Sequence, residues 1–417
     1  MVLLFNLGVL DLVQLFCYYV MLYCTLLWLL VLFKNRANFF SKETGIKIKK
    51  YPSITFLVPA YNEEKHIKKY LTSILNLDYP KDKLKVICIN DGSTDKTLEI
   101  CKSIKDTRLK IIDKPNTGKA DSLNYALNFV DTEYIVSMDA DSYPEKDYLK
   151  NILPYFNKKD VAAVTPALKV KETKTLMQKI QWVEYVFSIY LRKIFAFFDC
   201  QYVLPGPGSI CKTEIIREVG GWDKESLVED TELAFKLHIK GYRMENSPKA
   251  YVNTEAPETF RDLFKQRIRW YRGYLQTNRK YFHMIFNMKY GNLGFFVLPV
   301  NFIWIFILGV LFFLPIYNFA INLNEFFYRY SLVGFTWPTL NMSFDIIYID
   351  FYIYFLALFF SLTLSIIYLG IKISSEKINL KTRKWHYAGY IFIYPLLFSI
   401  FWFSAIFCEI FKLKKKW

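Results

Sequence analysis

The chain has 417 residues, 53% of them hydrophobic and 19% aromatic, and its 54 Lys+Arg against 38 Asp+Glu give a formal net charge of +16. That apolar content excludes a disordered or collagen-like polypeptide. A mean hydropathy of +0.14 beside 22% charged residues points to separate globular and membrane parts, two or three units at about 150 residues each.

Leu12–Phe33 is the first apolar stretch long enough to cross a bilayer. No basic residue precedes it and no small-residue cleavage site follows, so it reads as a retained anchor. Lys34, Arg36, Lys42, Lys47, Lys49 and Lys50 come next. By the positive-inside rule they place residues 34–292 in the cytoplasm.

From 53 to 170, β-branched runs alternate with amphipathic stretches: SITFLVPA, then 63–77; KVICIND, then 94–104; KIID, then 119–130; YIVSMDAD, then 146–156; VAAVTPALKV. This alternation predicts a parallel α/β sheet. Ligands bind at the carboxyl ends of such strands. Three strands end in polar motifs: Pro59-Ala60-Tyr61-Asn62-Glu63, Asn90-Asp91-Gly92-Ser93-Thr94-Asp95 and Asp139-Ala140-Asp141. Alone, the second is an ordinary turn with a helix cap at Ser93 or Thr94, and an Asp-x-Asp triplet arises by chance. Carboxylates at one sheet edge repel each other unless a cation sits among them. Hard oxygen ligands without His or Cys imply Mg²⁺ or Mn²⁺, held jointly with substrate phosphates. No triphosphate or dinucleotide glycine loop is present, so a nucleotide diphosphate is the expected guest.

Helical apolar faces backed by Lys and Arg occupy 173–198 and 257–285, as in helices lying at a membrane interface or packed on the sheet. Trp182, Tyr185, Phe187 and Tyr190 fit an interfacial belt or a sugar-stacking surface. Asp230–Lys240 reads as a helix in which Glu229 faces away from Asp230; a plain helix cap is the alternative for Asp230. Three further apolar stretches follow: Gly294–Phe319, Ile346–Leu369 and Ala388–Phe411. They would leave the C-terminus outside, yet Lys412, Lys414, Lys415 and Lys416 favour the cytoplasm and Lys372–Trp385 is basic too. Either the last stretch is re-entrant around Pro395 or the tail departs from the rule; the departure is the expectation adopted. Asp350 and Glu409 are expected to reach the interface rather than mark an ion path.

The seven cysteines form no CxxC pair and the four histidines no cluster, which argues against disulfides and zinc. The dispersed lysines carry no basic-aromatic nucleic-acid motif, so lipid headgroups or an anionic substrate account for them.

Four more motifs accompany the strand ends: Asn116-Thr117-Gly118-Lys119-Ala120 with Asn124, Pro205-Gly206-Pro207-Gly208, Val228-Glu229-Asp230 and Gln266-Arg267-Ile268-Arg269-Trp270. In this order they resemble the inverting, nucleotide-sugar-dependent glycosyltransferases of family 2, with the GT-A fold, over residues 51–285. Gln-x-x-Arg-Trp resembles the membrane-embedded processive branch, which includes poly-N-acetylglucosamine, hyaluronan, chitin and cellulose synthases. The resemblance implies an α/β GT-A domain with a Rossmann-like mixed sheet, interfacial amphipathic helices and α-helical transmembrane segments, divided as a span (1–33), a basic linker (34–50), a cytoplasmic catalytic domain (51–256), an interface helix (257–292) and about three spans (293–417).

Residue by residue, it implies donor binding by Pro59, Ala60, Tyr61, Glu63 and Asp91 at the uridine end, Lys119 at the diphosphate and Asp139 near the sugar or ribose. Asp141, with Asp139, would hold Mg²⁺ or Mn²⁺, and Asp230 would be the general base. Gln266 and Arg269 would close over the diphosphate, and Gly206, Pro207, Gly208, Glu229 and Trp270 would form the acceptor side. Two departures stand out: Asn90-Asp91 replaces a double Asp, and Leu204–Ser209 differs from forms associated with poly-N-acetylglucosamine and hyaluronan synthases.

The activity implied is transfer of a β-linked sugar, N-acetylglucosamine from UDP, to a growing polysaccharide at the plasma membrane, with a small membrane accessory subunit as a further partner. A non-processive transferase using a lipid-linked or lipid-phosphate acceptor is the alternative, and an inactive assembly partner a third reading.

Overall fold

A computed structural model of the chain describes residues 8–37, 51–158, 160–334, 351–376 and 379–413. Lys42, Lys47, Lys49, Lys50, Asp350 and the tail lysines 414–416 lie outside these residues.

The region between the first and second apolar helices is built on an eight-stranded sheet: β1 (Ile54–Ala60), β2 (Leu84–Asp91), β3 (Leu109–Lys114), β4 (Tyr134–Ser137), β5 (Ser142–Pro144), β6 (Val161–Val170), β7 (Ser209–Lys212) and β8 (Arg243–Thr254). Their order is β3-β2-β1-β4-β7-β6-β8-β5. The first four strands are parallel, as the alternation predicts. Beyond β4 the sheet is mixed, as the GT-A resemblance implies. There β7 runs antiparallel to both β4 and β6, and β5 antiparallel to β8, giving a mixed sheet. Short β5 and β7 carry too few residues to announce their direction in a sequence.

The helices between the parallel strands are α1 (Ile67–Leu75), α2 (Thr97–Ser103) and α3 (Lys119–Leu127). Helix α2 starts later than either expected cap. Asp95 Oδ1 receives the Thr97 N–H at 3.0 Å, while Ser93 and Thr94 bond to Asn62 in the neighbouring loop. Two apolar layers sandwich the sheet: one centres on Phe56, Val58, Leu71 and Tyr148, the other on Leu57, Ile89, Leu123 and Leu233. Burial at about 25 cal/mol per Å² of apolar surface makes these layers the main cohesive term.

Helix α4 (Leu176–Phe197) opens with a capping box in which Thr175 and Gln178 satisfy each other's backbone N–H groups. Two of its aromatics, Trp182 and Tyr190, form neither an interfacial belt nor a sugar platform, while Tyr185 and Phe187 are half-buried. Trp182 is buried beneath the Arg383 guanidinium, 3.9 Å from the ring, and Tyr190 is fully buried. Two more helices complete the frame, α5 (Glu229–Ile239) and α6 (Phe260–Lys280).

Among the described residues four helices are long and apolar enough to cross a membrane: Val9–Lys34, Leu293–Leu332, Ile353–Ile373 and Lys381–Ile410. They overlap the four predicted stretches. The cysteines described are free, and Cys88 and Cys101 Sγ stand 3.5 Å apart in the core.

Candidate active site

The strand-end loops converge on one edge of the sheet, and hydrogen bonds lock them together. Asn62, at φ 55°, receives the Thr94 N–H at 2.9 Å and donates its own N–H to Ser93 Oγ. Glu63 N–H donates to Thr97 Oγ1 at 2.7 Å. Pro59 and Ala60 close β1 and Tyr61 is half exposed beside them. Asp91 closes β2 and is buried. Its carboxylate accepts Lys114 Nζ at 2.6 Å and the N–H groups of Thr117 and Gly118 at 3.0 and 2.9 Å. These charge-assisted bonds hold its carboxyl below the ordinary range despite the opposing effect of burial. Asp91 therefore fixes the loop that delivers Lys119, a task the motif alone did not reveal, and its partner Lys114 was not singled out from the sequence. Gly92, at φ 69°, lets that loop approach: a Cβ there would lie 2.6 Å from Asn116 N.

Lys119 Nζ sits between Asp139 Oδ1 at 2.7 Å and Glu229 Oε1 at 2.9 Å. Burial opposes its charge, but Asp139, Glu229 and Asp230 together hold its amine far above the ordinary lysine value. Glu229 thus faces the site in which the resemblance places it, contrary to the helix-geometry reading that turns it away from Asp230. The expected geometry places it 100° from Asp230, but in the first turn of α5 both side chains reach across the helix end. Burial raises and Lys119 lowers the Glu229 carboxyl, and the net effect is downward.

Asp230 is not the helix cap, which is Val228. Its Oδ2 accepts Gly206 N–H at 3.2 Å and its Oδ1 accepts Thr231 N–H at 2.7 Å. Burial, then repulsion from Glu229, raises its pKa to about 6. That is where a base active near neutrality belongs.

The Pro205–Gly208 turn presses on the same cluster. A Cβ on Gly206 would stand 2.6 Å from Lys119 Nζ and 3.1 Å from Asp139, and Gly208 N–H donates to Ser137 O at 2.7 Å. Pro207 lies between them in the turn. A cavity of about 10 Å³, room for one water, is bordered by Pro205, Gly206, Trp222, Glu229 and Asp230.

Asp139 and Asp141 follow β4. Burial and then Asp139 raise the Asp141 carboxyl to about 6. Burial, then Asp141, Asp95 and Asp139, raise Glu63 to about 7. Among the described residues no three His, Cys, Asp or Glu side chains converge to hold a metal unaided. Two repelling carboxylates fit Mg²⁺ or Mn²⁺ only where a diphosphate supplies the remaining oxygens.

Helix α6 carries Gln266, Arg269 and Trp270. Arg269 Nη1 donates to Leu227 O at 3.1 Å, in the loop leading to Asp230, and Gly273 lets the helix close on Val228. Gln266 Oε1 is buried without a hydrogen-bond partner. Arg267, one of the two residues the motif leaves unspecified, is 2% exposed, pairs with Glu184 at 2.8 Å and covers one face of Trp270 at 4.3 Å. Neither Glu184 nor Arg267 was assigned from the sequence; their wide separation along the chain hides the pair.

Residues 52–273, more than half the chain, match the family model described as "Glycosyltransferase like family 2". The chain is 32% identical over 237 residues to the poly-beta-1,6-N-acetyl-D-glucosamine synthase of Staphylococcus aureus, covering 56% of this chain and 57% of that one. It is 32% identical over 224 residues to the synthase of Staphylococcus epidermidis, covering 53% and 54%. The match therefore spans little more than half the length of these relatives. Among solved structures, the mannosyltransferase PcManGT of Pyrobaculum calidifontis, in complex with GDP-Man and Mn²⁺, is 25% identical with a TM-score of 0.49, covering 64% of this chain and 76% of that one. S. aureus TarS 1–349 in complex with UDP-GlcNAc is 20% identical with a TM-score of 0.37, covering 52% and 66%. With a family match over residues 52–273 and a mixed GT-A sheet that gathers the motifs at one edge, this chain belongs to the family 2 glycosyltransferases.

Proposed function

We propose that this enzyme polymerises a β-linked polysaccharide from UDP-N-acetylglucosamine at the cytoplasmic face of the membrane. The observation that carries the reading is Asp230, a partly buried carboxylate with a pKa raised to about 6 at the meeting point of the Lys119 loop, the Pro-Gly-Pro-Gly turn and α6. Two relatives named as poly-beta-1,6-N-acetyl-D-glucosamine synthases support the donor and the product class.

Asp230 takes the proton of an acceptor hydroxyl as that oxygen bonds to the donor's anomeric carbon. The carbon–oxygen bond to UDP breaks on the opposite side, inverting the anomer. Lys119 and Arg269 meet the charge growing on the leaving diphosphate. Asp139 and Asp141 would hold Mg²⁺ or Mn²⁺, which neutralises diphosphate charge when bound. Pro59, Ala60, Tyr61, Glu63 and Asp91 frame the nucleoside end, and Gln266 offers an unpaired buried amide oxygen toward whatever α6 covers. Gly206, Pro207, Gly208, Glu229 and Trp270 form the acceptor side. A multi-pass arrangement with the catalytic domain in the cytoplasm follows from Lys34 and Arg36 after the first span.

The test is to supply purified enzyme in lipid with labelled UDP-sugars and to size the product. Long, water-soluble polymer from UDP-N-acetylglucosamine supports the reading. A product of one or two sugars on an organic-extractable lipid would replace it with single transfer to a lipid-linked acceptor.

A further inference from the structure

The fourth apolar segment, Lys381–Ile410, has the length and composition of a span. A spanning helix carries its two ends to opposite sides of a hydrocarbon core about 30 Å thick. Here both ends meet the catalytic domain.

At the start of the segment, His386 Nε2 lies 3.2 Å from Thr173 Oγ1, and Arg383 covers Trp182. A Cβ on Gly389 would stand 2.8 Å from Ile180. All three partners belong to α4 or its N-terminal approach. At the far end, Arg272 Nε donates to Glu409 Oε1 at 2.6 Å, Gln276 Nε2 donates to the same oxygen at 2.9 Å, and Arg272 Nη2 donates to Leu413 O at 3.0 Å. Between these ends, Phe401 packs on Phe260 and Phe264, and Trp402 stacks on Tyr271 with centroids 4.5 Å apart. These residues of α6 cannot lie across the bilayer from the catalytic domain, because α6 is fastened to it along its length. Arg267 pairs with Glu184, Arg269 bonds Leu227 O, and Lys280 binds Asp223 and Glu232.

We propose that the C-terminal apolar segment does not cross the bilayer but lies in the leaflet on the catalytic side, as a strap along α6 with Glu409 as its clasp. Its outer face, Phe392, Leu396, Phe407, Ile410 and Phe411, is more than half exposed at every position and meets acyl chains of that leaflet. Three crossings then remain. Both basic clusters, Lys372–Trp385 and the tail beginning at Lys412, fall on the catalytic side, and the charge conflict of the four-span reading disappears. Only the shared side is at stake, so this inference stands or falls independently of the sugar transferred.

The test uses the full chain in membranes with Cys408→Ser and one exposed cysteine at a time: Lys412→Cys, Lys102→Cys in the catalytic domain, or Ser331→Cys near the end of the second long helix. A membrane-impermeant maleimide is applied to spheroplasts and to inverted vesicles. Lys412→Cys should label with Lys102→Cys and opposite to Ser331→Cys; labelling together with Ser331→Cys overturns the proposal. Where Lys412→Cys labels from neither side, protease removal of a C-terminal tag in the same preparations gives the reading by the same criterion. As a second measurement, Arg272→Glu should lower transfer roughly five- to tenfold, the coupling range of one ion-pair network, and Arg272→Glu with Glu409→Arg should recover most of it. No recovery removes the clasp role of Glu409.

Discussion

Asp230→Asn isolates the proposed proton transfer because it removes a basic oxygen without changing side-chain size. Two costs must be separated. The carboxylate accepts one N–H from Gly206 and one from Thr231. An amide retains one acceptor and points its NH₂ at the other donor, so one hydrogen bond is lost, about 1–3 kcal/mol if the orphaned donor stays dry. That cost falls on folding and lowers Tm. The catalytic cost is the general-base contribution, about 10²–10⁴ in rate, which converts to roughly 3–5 kcal/mol at 1.4 kcal/mol per decade. Transfer and UDP binding measured on equal amounts of folded protein distinguish the two. Transfer should fall by 10²–10⁴ while UDP affinity stays within a few-fold. Glu229 cannot substitute, because Lys119 keeps it ionised, paired and weakly basic. Transfer within about fivefold of wild type, well short of a general-base contribution, would place the base on another residue.

The acid limb of kcat/KM should have an apparent pKa near 6: the raised Asp230 is a competent base only above it, so activity falls as pH drops through that value. A flat profile between pH 5 and about 7 would contradict the assignment. Transfer and UDP-sugar hydrolysis should both require Mg²⁺ or Mn²⁺, and full activity in excess chelator would rule out the metal. Trp270→Ala should impair elongation more than hydrolysis of UDP-sugar to water, whereas Arg269→Ala should impair both; an unchanged ratio for Trp270→Ala would remove the acceptor-platform role. Gly206→Ala should cut transfer by driving a methyl into the Lys119–Asp139 pair, and unaltered transfer would mean that this turn gives way.

Much of the catalytic region was legible because its signals are local. Hydrophobic alternation marked β1 to β4, and turn-forming motifs marked the edge where ligands bind. The rest depends on pairings distant in sequence. The direction of β7 is set by register with β4 and β6, not by its own four residues. Trp182 looks like a membrane aromatic until Arg383, two hundred residues later, is placed over it. Glu229 was turned away by helical geometry alone, and only Lys119 draws it inward. The last apolar segment has a span's composition, and composition cannot record that Arg272 holds its far end.

The charges of the site limit how a donor can enter. Among the described residues Glu63, Asp139, Asp141, Glu229 and Asp230 gather around Lys119, and burial first, then repulsion between neighbouring carboxylates, raises Glu63, Asp141 and Asp230. A nucleotide diphosphate would add more negative charge at the same edge, so Lys119 alone cannot balance it. Arg269 is nearest to hand in sequence terms, but its guanidinium is engaged with Leu227 O. A divalent ion shared between Asp139, Asp141 and the diphosphate answers the imbalance at the carboxylates, and release of Arg269 from Leu227 answers it at the phosphates. Release would also free the loop that leads into Asp230. Donor binding and positioning of the base then become one event, and Arg269→Lys, which keeps the charge but loses the planar fork, should weaken UDP binding less than it slows transfer. An equal loss in both would mean that Arg269 serves the diphosphate alone.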